Sequence, residues 1–408
     1  MMHRVLPNGG VTSPRGFSAA AVAAGIKQSG RPDLVLVVSD RDCVAAGVFT
    51  RNRVAAAPVI IDRETLAAEA TGMRGVVINA GNANACTGEP GVADAREMQR
   101  LAADVIGARP GQFLVMSTGV IGVPLPMARV QAGIATAAPL LSPHNGRAAA
   151  EAIMTTDTYP KSLAVEVDLP NGRVTVGGMA KGAGMIHPDM ATLLGVIATD
   201  AAVPAAVLAE LLRDAVAGSF NAITVDGDTS TNDTILLLAN GSSGVAISDA
   251  TSQALFAAAL NELCHALAML VVKDGEGATR VVTVRVTGAA SVGDARQVAD
   301  TIATSPLVKT AFAGGDPNWG RIMMATGRSG VELAQEQLGL WINAPGAEPL
   351  EIVRHGTPTA YHESDAAAIF ALPEFNVRVD LGRGAKETTI WTTDLTHDYV
   401  TINADYRT

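Results

Sequence analysis

Short, strongly apolar β-type runs stand between helical patterns along this chain with no regular βα period, and that irregularity constrains the fold most. Residues 33–39 (DLVLVVS) and 75–79 (GVVIN) read as buried strands, with 114–116 as a third, shorter one. Between the last two, 92–106 carries apolar residues at helical spacing and predicts an amphipathic helix. Residues 203–217 and 250–269, rich in Ala and Leu, are also helical, and Pro204 suits a first turn. From about Val281 the pattern turns to strand-like alternation, at 281–286, 376–380, 388–391 and 399–402. The stretch 343–359, with three prolines and two glycines, reads as loop and edge structure. A doubly wound parallel sheet needs strict alternation of strand and helix; this mixture predicts α+β layers instead.

Length adds a second constraint. A chain of 408 residues exceeds what one hydrophobic core usually organises, so two domains or one domain plus a large appendage are expected, and the change of pattern near Val281 divides 1–280 from 281–408. The 48% apolar content, 17% charge and 41 glycines fit a compact, loop-rich globular protein. No apolar run approaches the roughly 20 residues that span a bilayer, the longest candidate being 266–272, and membrane partners are not expected. The N-terminus lacks the apolar core of a signal peptide, which predicts a cytoplasmic protein. Three cysteines, Cys43, Cys86 and Cys264, show no CxxC spacing and argue against a disulfide framework or structural zinc. Thirty basic against 40 acidic residues give a net charge of −10 without a basic cluster, which sets nucleic acid aside.

Chemistry concentrates in the run 181–200 (KGAGMIHPDMATLLGVIATD). A loop of small residues ends at Ala191, and an apolar strand is expected to begin at Thr192 itself. Gly182 and Gly184 permit tight backbone geometry, and Pro188 restricts His187. A hydroxyl so placed can attack the carbonyl before its own residue and, once that bond is cut, act beside its own free α-amine. That amine has a reference pKa of roughly 7.7–8.0, so it can deprotonate the hydroxyl near neutral pH, as histidine does in a serine triad. The competing reading is a threonine that merely opens a strand.

Other segments carry weaker signals. The turn after 114–116 (STGVIG, 117–122) could point backbone N–H groups at an oxyanion, aided by the Thr118 hydroxyl; small-residue turns after strands are also simply common. Glu276, on the glycine-flanked turn 273–277 (KDGEG), suits a substrate ammonium, or is a solvated turn. Lys181 could meet a substrate carboxylate or lie on the surface. The polar runs 79–88 (NAGNANACTG) and 226–233 (DGDTSTND) read as Asx-rich turns that satisfy buried backbone. The second lacks the twelfth-position glutamate of an EF-hand, so no metal is expected there. No GxGxxG follows a strand and no GxxxxGK[ST] occurs, which leaves nucleotide-cradling folds without support.

Together these segments resemble the ornithine acetyltransferases, or glutamate N-acetyltransferases, of arginine biosynthesis. The likeness is carried by GGVTSPRGF (9–17), NAGNANACTG (79–88), STGVIG (117–122), IMTTDTYPK (153–161), MAKGAGMIHPDMATLL (179–194), FNAITVDGDTSTND (220–233), SPLVKTA (305–311), GGDPNWGR (314–321) and YVTINADYRT (399–408). The segments stand in the family's order and reach the last residue.

The resemblance implies self-cleavage between Ala191 and Thr192, giving an α chain (1–191) and a β chain (192–408). It implies an α/β/β/α sandwich similar to, but topologically distinct from, the N-terminal-nucleophile hydrolases, with a smaller C-terminal α/β domain whose last residues return to the active site. Thr192 matches the nucleophile, Thr118 and Gly119 the oxyanion hole, and Thr155, Lys181, Thr192, Glu276, Asn403 and Thr408 the substrate-binding positions. The substrates implied are N2-acetyl-L-ornithine and L-glutamate, with no cofactor or metal, acetyl-CoA as a possible co-substrate, and an α2β2 or larger assembly. Rival readings keep the same nucleophile: an autoprocessed amidohydrolase or aminopeptidase with water as acceptor, or a secondary-metabolism acyltransferase. An uncleaved binding protein would need an inert Thr192.

Overall fold

The computed structural model describes residues 3–187 and 193–405. In chain order the first elements are β1 (His3–Leu6), β2 (Phe17–Val22), β3 (Leu34–Phe49), α1 (Ala57–Ala68), β4 (Met73–Asn82), α2 (Gly88–Asp104), β5 (Phe113–Val120), α3 (Met127–Ala137) and α4 (Gly146–Ala152). Next come β6 (Lys161–Leu169), β7 (Gly172–Lys181), β8 (Leu194–Thr199), α5 (Ala205–Ala217), β9 (Ile223–Thr224), β10 (Thr234–Ala239) and α6 (Ala250–Lys273). The remainder is β11 (Val281–Ala289), α7 (Val292–Ala303), α8 (Pro306–Gly314), α9 (Trp319–Gly327), β12 (Gly339–Asn343), β13 (Leu350–Arg354), β14 (Thr357–Pro358), α10 (Glu363–Phe370), β15 (Glu374–Asp380), β16 (Lys386–Thr393) and α11 (His397–Asp405). Among the described residues two compact units result, one from 3 to 221 and 228 to 271, the other from 222 to 227 and 272 to 405.

The first unit is organised by β3. Its first half pairs with β4 on one edge and β2 on the other, while its second half, from Val44, pairs with β10. Between the halves lie Asp40, Arg41 and Asp42, all exposed, and the register with β4 shifts between Val38 and Cys43. Charged residues cannot enter a core unpaired, so the sheet bends there and its two parts face each other. The strand order is β1-β6-β7-β8-β10-β3-β4-β5 with β2 beside β3, and β8–β10 and β4–β5 are its parallel pairs.

Strand alternation then sorts side chains into layers. Val35 and Val37 point inward with Met116, Val196, Leu236 and Leu238, a core shared by both parts of the sheet and closed by Ala149, Ala150 and Ile153 around α4. Leu34, Leu36 and Val38 point the other way, onto the apolar stripe Ala95, Met98, Leu101 and Ala102 of α2 and onto Val130 and Ile134 of α3. On the opposite outer face, Leu263 and Leu267 of α6 lie directly over Gly178 of β7, where a Cβ would crowd them. Helix, sheet, sheet, helix is therefore the order of layers. Each fully buried Leu, Ile or Phe side chain contributes on the order of 1.5–3 kcal/mol.

α6 departs from expectation. It runs 24 residues and contains an 18-residue stretch with a mean hydropathy of 1.9, long and apolar enough to cross a membrane by length and composition. The sequence run looked shorter because polar residues interrupt it on one side. The apolar face, including Phe256, Leu260, Leu263 and Leu267, is buried in the core.

The second unit is a seven-stranded mixed sheet, β14-β13-β12-β15-β11-β16-β9, with helices over one face. β15 alternates strictly: Phe375, Val377 and Val379 are buried, and Arg378 on the other face stacks 4.2 Å from the Trp341 ring centroid. Phe375 meets Phe370 of α10 and Phe312 of α8 at centroid separations of 4.7 and 5.4 Å. The segment 343–359 forms the edge, with β13 and β14 as a terminal hairpin.

One expected strand is a helix. Residues 399–402 lie in α11, not in a strand. Their β-branched pattern is overruled by side-chain bonds along the helix: Thr401 donates to the His397 carbonyl and Asn403 to the Tyr399 carbonyl. Asp398 in the first turn complements the helix dipole.

Candidate active site

In the first unit the strand ends converge on one buried polar cluster. Thr118 and Gly119 close β5, where they pair with Ala80 and Gly81 of β4. Gly119 has φ +133°, and a Cβ there would overlap the backbone of Gly81 and Asn82, so only glycine fits this close approach. Lys181 closes β7 opposite Leu194 of β8, which in turn pairs with Thr234 of β10. The buried Lys181 ammonium stands 3.4 Å from the Thr118 hydroxyl oxygen.

Asp157 anchors that ammonium. Its carboxylate lies 4.0 Å from the Lys181 nitrogen and 2.6 Å from that of Lys161, and accepts from the Gly182 and Thr155 amides at 2.7 and 3.0 Å. Burial alone would raise its pKa; the two ammonium groups and these N–H donors outweigh that and hold it at about 2. Lys27 adds a third positive group. It donates to the Pro32 and Ala152 carbonyls and packs along Gly81, and its pKa falls to about 8 through burial, with Asp33 opposing and Lys181 reinforcing the shift.

The two polar runs are the scaffold of this cluster. Asn232 donates to the Ser117 and Ala83 carbonyls at 2.9 and 2.6 Å, tying the lead-in of β10 to the end of β5. Ser117 donates to Asn79, whose amide donates to the Asn82 carbonyl. Asn82 accepts from the Asn84 amide and Asn84 donates to the Gly91 carbonyl, so the Asx-turn reading of 79–88 holds. Next in sequence, the Asp233 carboxyl accepts from the Leu193 amide at 3.0 Å.

Of the residues singled out in the sequence, Thr118, Gly119, Lys181 and the backbone of Thr155 come together here. Ala191, Thr192 and Thr408 lie outside the described residues; β8 begins at Leu194, two residues after the expected start at Thr192. In the second unit Glu276 accepts from the Asn403 side-chain amide at 2.8 Å, joining two of the remaining candidates. Sequence reasoning missed Asp157, Asp233, Lys27 and Asn232. Asp157 and Asp233 sat inside quoted motifs, and the available signal was an aspartate at the edge of a small-residue run directly before a strand. Among the described residues no three His, Cys, Asp or Glu side chains gather as metal ligands would.

A layered α+β core whose sheet ends bring a buried cation to a strand-end hydroxyl is the architecture of an enzyme. The ArgJ family model matches residues 18–408, and the chain belongs to the ArgJ family. It is 51% identical over 405 residues to the arginine biosynthesis bifunctional protein ArgJ of Symbiobacterium thermophilum, covering 98% of this chain and 99% of that one. The protein of the same name from Chlorobium chlorochromatii is 48% identical over 394 residues, covering 97% and 91%. Among solved structures, ornithine acetyltransferase complexed with ornithine from Mycobacterium tuberculosis is 41% identical, covering 47% of this chain and 99% of that chain at a TM-score of 0.43.

Proposed function

We propose that this protein transfers the acetyl group of N2-acetyl-L-ornithine to L-glutamate through an acetyl ester on Thr192, within arginine biosynthesis. The observation that carries the reading is the Lys181–Thr118 contact beside the Gly119 turn, at the sheet end that leads into β8. Self-cleavage between Ala191 and Thr192 first frees the threonine amine. That amine takes the hydroxyl proton as Thr192 Oγ adds to the acetyl carbonyl carbon. The Gly119 N–H and the Thr118 hydroxyl bind the oxyanion, and Lys181 supplies positive charge; one such donor is typically worth about 2.7–4 kcal/mol. The C–N bond then breaks, ornithine leaves with the proton, and the glutamate amine attacks the ester to restore the hydroxyl. Glu276 takes a substrate ammonium, and Thr155, Lys181, Asn403 and Thr408 hold its remaining polar groups. The cleaved chains work as an α2β2 or larger assembly.

Mass spectrometry of the purified protein, followed by acetyl transfer with and without glutamate, tests this. Two chains, 1–191 and 192–408, and glutamate-dependent loss of acetyl-ornithine are expected, both abolished in Thr192→Ala. Cleavage of Thr192→Ala into two chains, or acetyl loss independent of glutamate, overturns it; the latter outcome identifies a hydrolase.

The name carried by both relatives, a bifunctional protein, favours a second activity: acetyl-CoA also acetylates glutamate at the same threonine. Acetyl-CoA as sole donor measures it directly.

A further inference from the structure

Lys309 lies buried on α8 and grips one short segment, 392–395, from two directions. Its side-chain nitrogen donates to the Thr392 hydroxyl at 3.1 Å and to the Thr393 carbonyl, and lies 3.2 Å from the Thr393 hydroxyl oxygen. The Thr392 hydroxyl spends its own hydrogen on the Ala303 carbonyl, so Lys309 must be the donor to it. The Lys309 backbone carbonyl then accepts from the Leu395 amide at 3.2 Å. Asp394 is thereby fixed from both sides. An apolar side chain would fill this space at lower cost; what the amine adds is one set conformation for 392–395.

That segment bounds the turn that carries Glu276. The Thr393 methyl packs against Gly275, 3.1 Å from where a Cβ would stand. The buried Asp394 carboxylate accepts from the Thr279 and Arg280 amides at 2.8 and 3.1 Å, and from the Thr279 hydroxyl. Thr396 donates to the Gly277 carbonyl at 2.6 Å. Gly277 itself has φ +67°, and a Cβ there would stand 2.4 Å from the Tyr399 nitrogen, so α11 begins directly against the turn. From α11, Asn403 reaches the Glu276 carboxylate at 2.8 Å. Three side chains of one segment hold the turn, and the helix that follows them meets the carboxylate.

We infer that Lys309 is a positioning residue for Glu276, and so sets the preference for a donor with a terminal ammonium; the inference rests on the function proposed above. Lys309 touches no substrate. It fixes 392–395, that segment fixes the turn 275–280 and the start of α11, and the two together aim the Glu276 carboxylate. A carboxylate aimed in advance binds an ammonium without first being ordered, which is where preorganisation adds affinity. Because the ammonium is remote from the acetyl carbonyl, the effect falls on donor binding and selectivity more than on the chemical step.

The test compares kcat/KM for N2-acetyl-L-ornithine with that for N2-acetyl-L-norvaline, the same donor without its terminal ammonium, at fixed glutamate. Wild type, Lys309→Met, Glu276→Gln and the double variant are measured, with circular dichroism as the folding check. Wild type is expected to favour acetyl-ornithine by at least about tenfold, the usual worth of a hydrogen bond to a charged group. Lys309→Met should lose most of that preference through a higher KM for acetyl-ornithine, with acetyl-norvaline changed by no more than about twofold. The double variant should discriminate no worse than Glu276→Gln alone, because both changes act on one carboxylate. A merely structural role would depress both donors alike. A folded Lys309→Met that keeps the preference to within about threefold, or that loses both donors equally, overturns the inference. If Lys309→Met does not fold, Thr396→Val, which breaks the bond to Gly277, is read in the same way, and an unchanged preference overturns it. Loss of preference in Glu276→Gln leaves the proposed function standing in both cases. A Glu276→Gln protein as selective as wild type refutes the role proposed for Glu276, and the inference falls with it.

Discussion

The Lys181 ammonium and the Thr118 hydroxyl lie 3.4 Å apart across 63 residues of sequence, each at the end of its own strand. Neither side chain is placed by its neighbours in sequence. Lys181 is aimed by the Asp157 carboxylate, and Thr118 by the pairing of β5 with β4.

Removing the anchor tests that dependence. Asp157→Asn removes the carboxylate that faces both the Lys161 and Lys181 ammonium groups, and acetyl transfer is expected to fall at least tenfold. Because Asp157 titrates at about 2 in the fold against 3.8 ordinarily, it stabilises the protein above pH 4, and that contribution is lost as pH falls from about 4 toward 2. The contribution is roughly 2 kcal/mol. Acid unfolding curves of wild type and variant should therefore converge below pH 2 and diverge above pH 4.

Gly119→Ala is expected to cost on the order of 3 kcal/mol, from positive φ together with overlap on Gly81 and Asn82. The turn proposed to present the oxyanion donor would shift with it. Thermal melting should drop by several degrees and kcat by more than tenfold, whereas Gly122→Ala, strained by its own φ of +79° but with open space around its Cβ position, should lose stability and spare activity.

Asn232→Ala removes two buried hydrogen bonds and leaves the Ser117 and Ala83 carbonyls without that donor. The expected loss is about 1–3 kcal/mol, read by urea unfolding. Transfer activity should fall with it because Ser117 immediately precedes Thr118.

Lys309 is fully buried on α8 of the second unit and bonds to Thr392 and Thr393, while burial lowers its pKa to about 7 despite the nearby Asp394 and Asp226. The unfolded chain therefore holds a proton between pH 7 and 10 that the folded chain lacks, so this group makes stability rise with pH, by up to about 1.4 kcal/mol per unit. All three tryptophans, Trp319, Trp341 and Trp391, lie in the same unit and report its unfolding. Urea melts at pH 7.5 and 9.5 should show this rise in wild type and a clearly smaller one in Lys309→Met.

Much of the fold was legible because its strands are apolar and its helices amphipathic. The cores of β3, β4 and β5 and the stripe of α2 follow from spacing alone. The length of β3 did not, because Asp40–Arg41–Asp42 reads as the end of a strand when it is the bend of a continuous one. α11 was hidden for the converse reason: Tyr399, Val400, Thr401 and Ile402 favour a strand locally, and bonds four residues apart decide otherwise. Within the site, Thr118, Gly119 and Lys181 could be named from motifs. Asp157 and Asp233 could not be given roles, since what distinguishes them is burial and partners supplied by distant strands.

The order β7-β8-β10-β3 carries a last consequence for a chain cut between 191 and 192. β7 and β3 would belong to one fragment and β8 and β10 to the other, so the first fragment clasps the second along both edges of one continuous ladder. Such a nick costs the folded protein little. Its effect falls on the unfolded state, where two separate polypeptides must find each other again before the ladder can re-form. Maturation would then exchange reversible folding for persistence governed by the rate of opening, making this a protein that assembles once, while still a single chain.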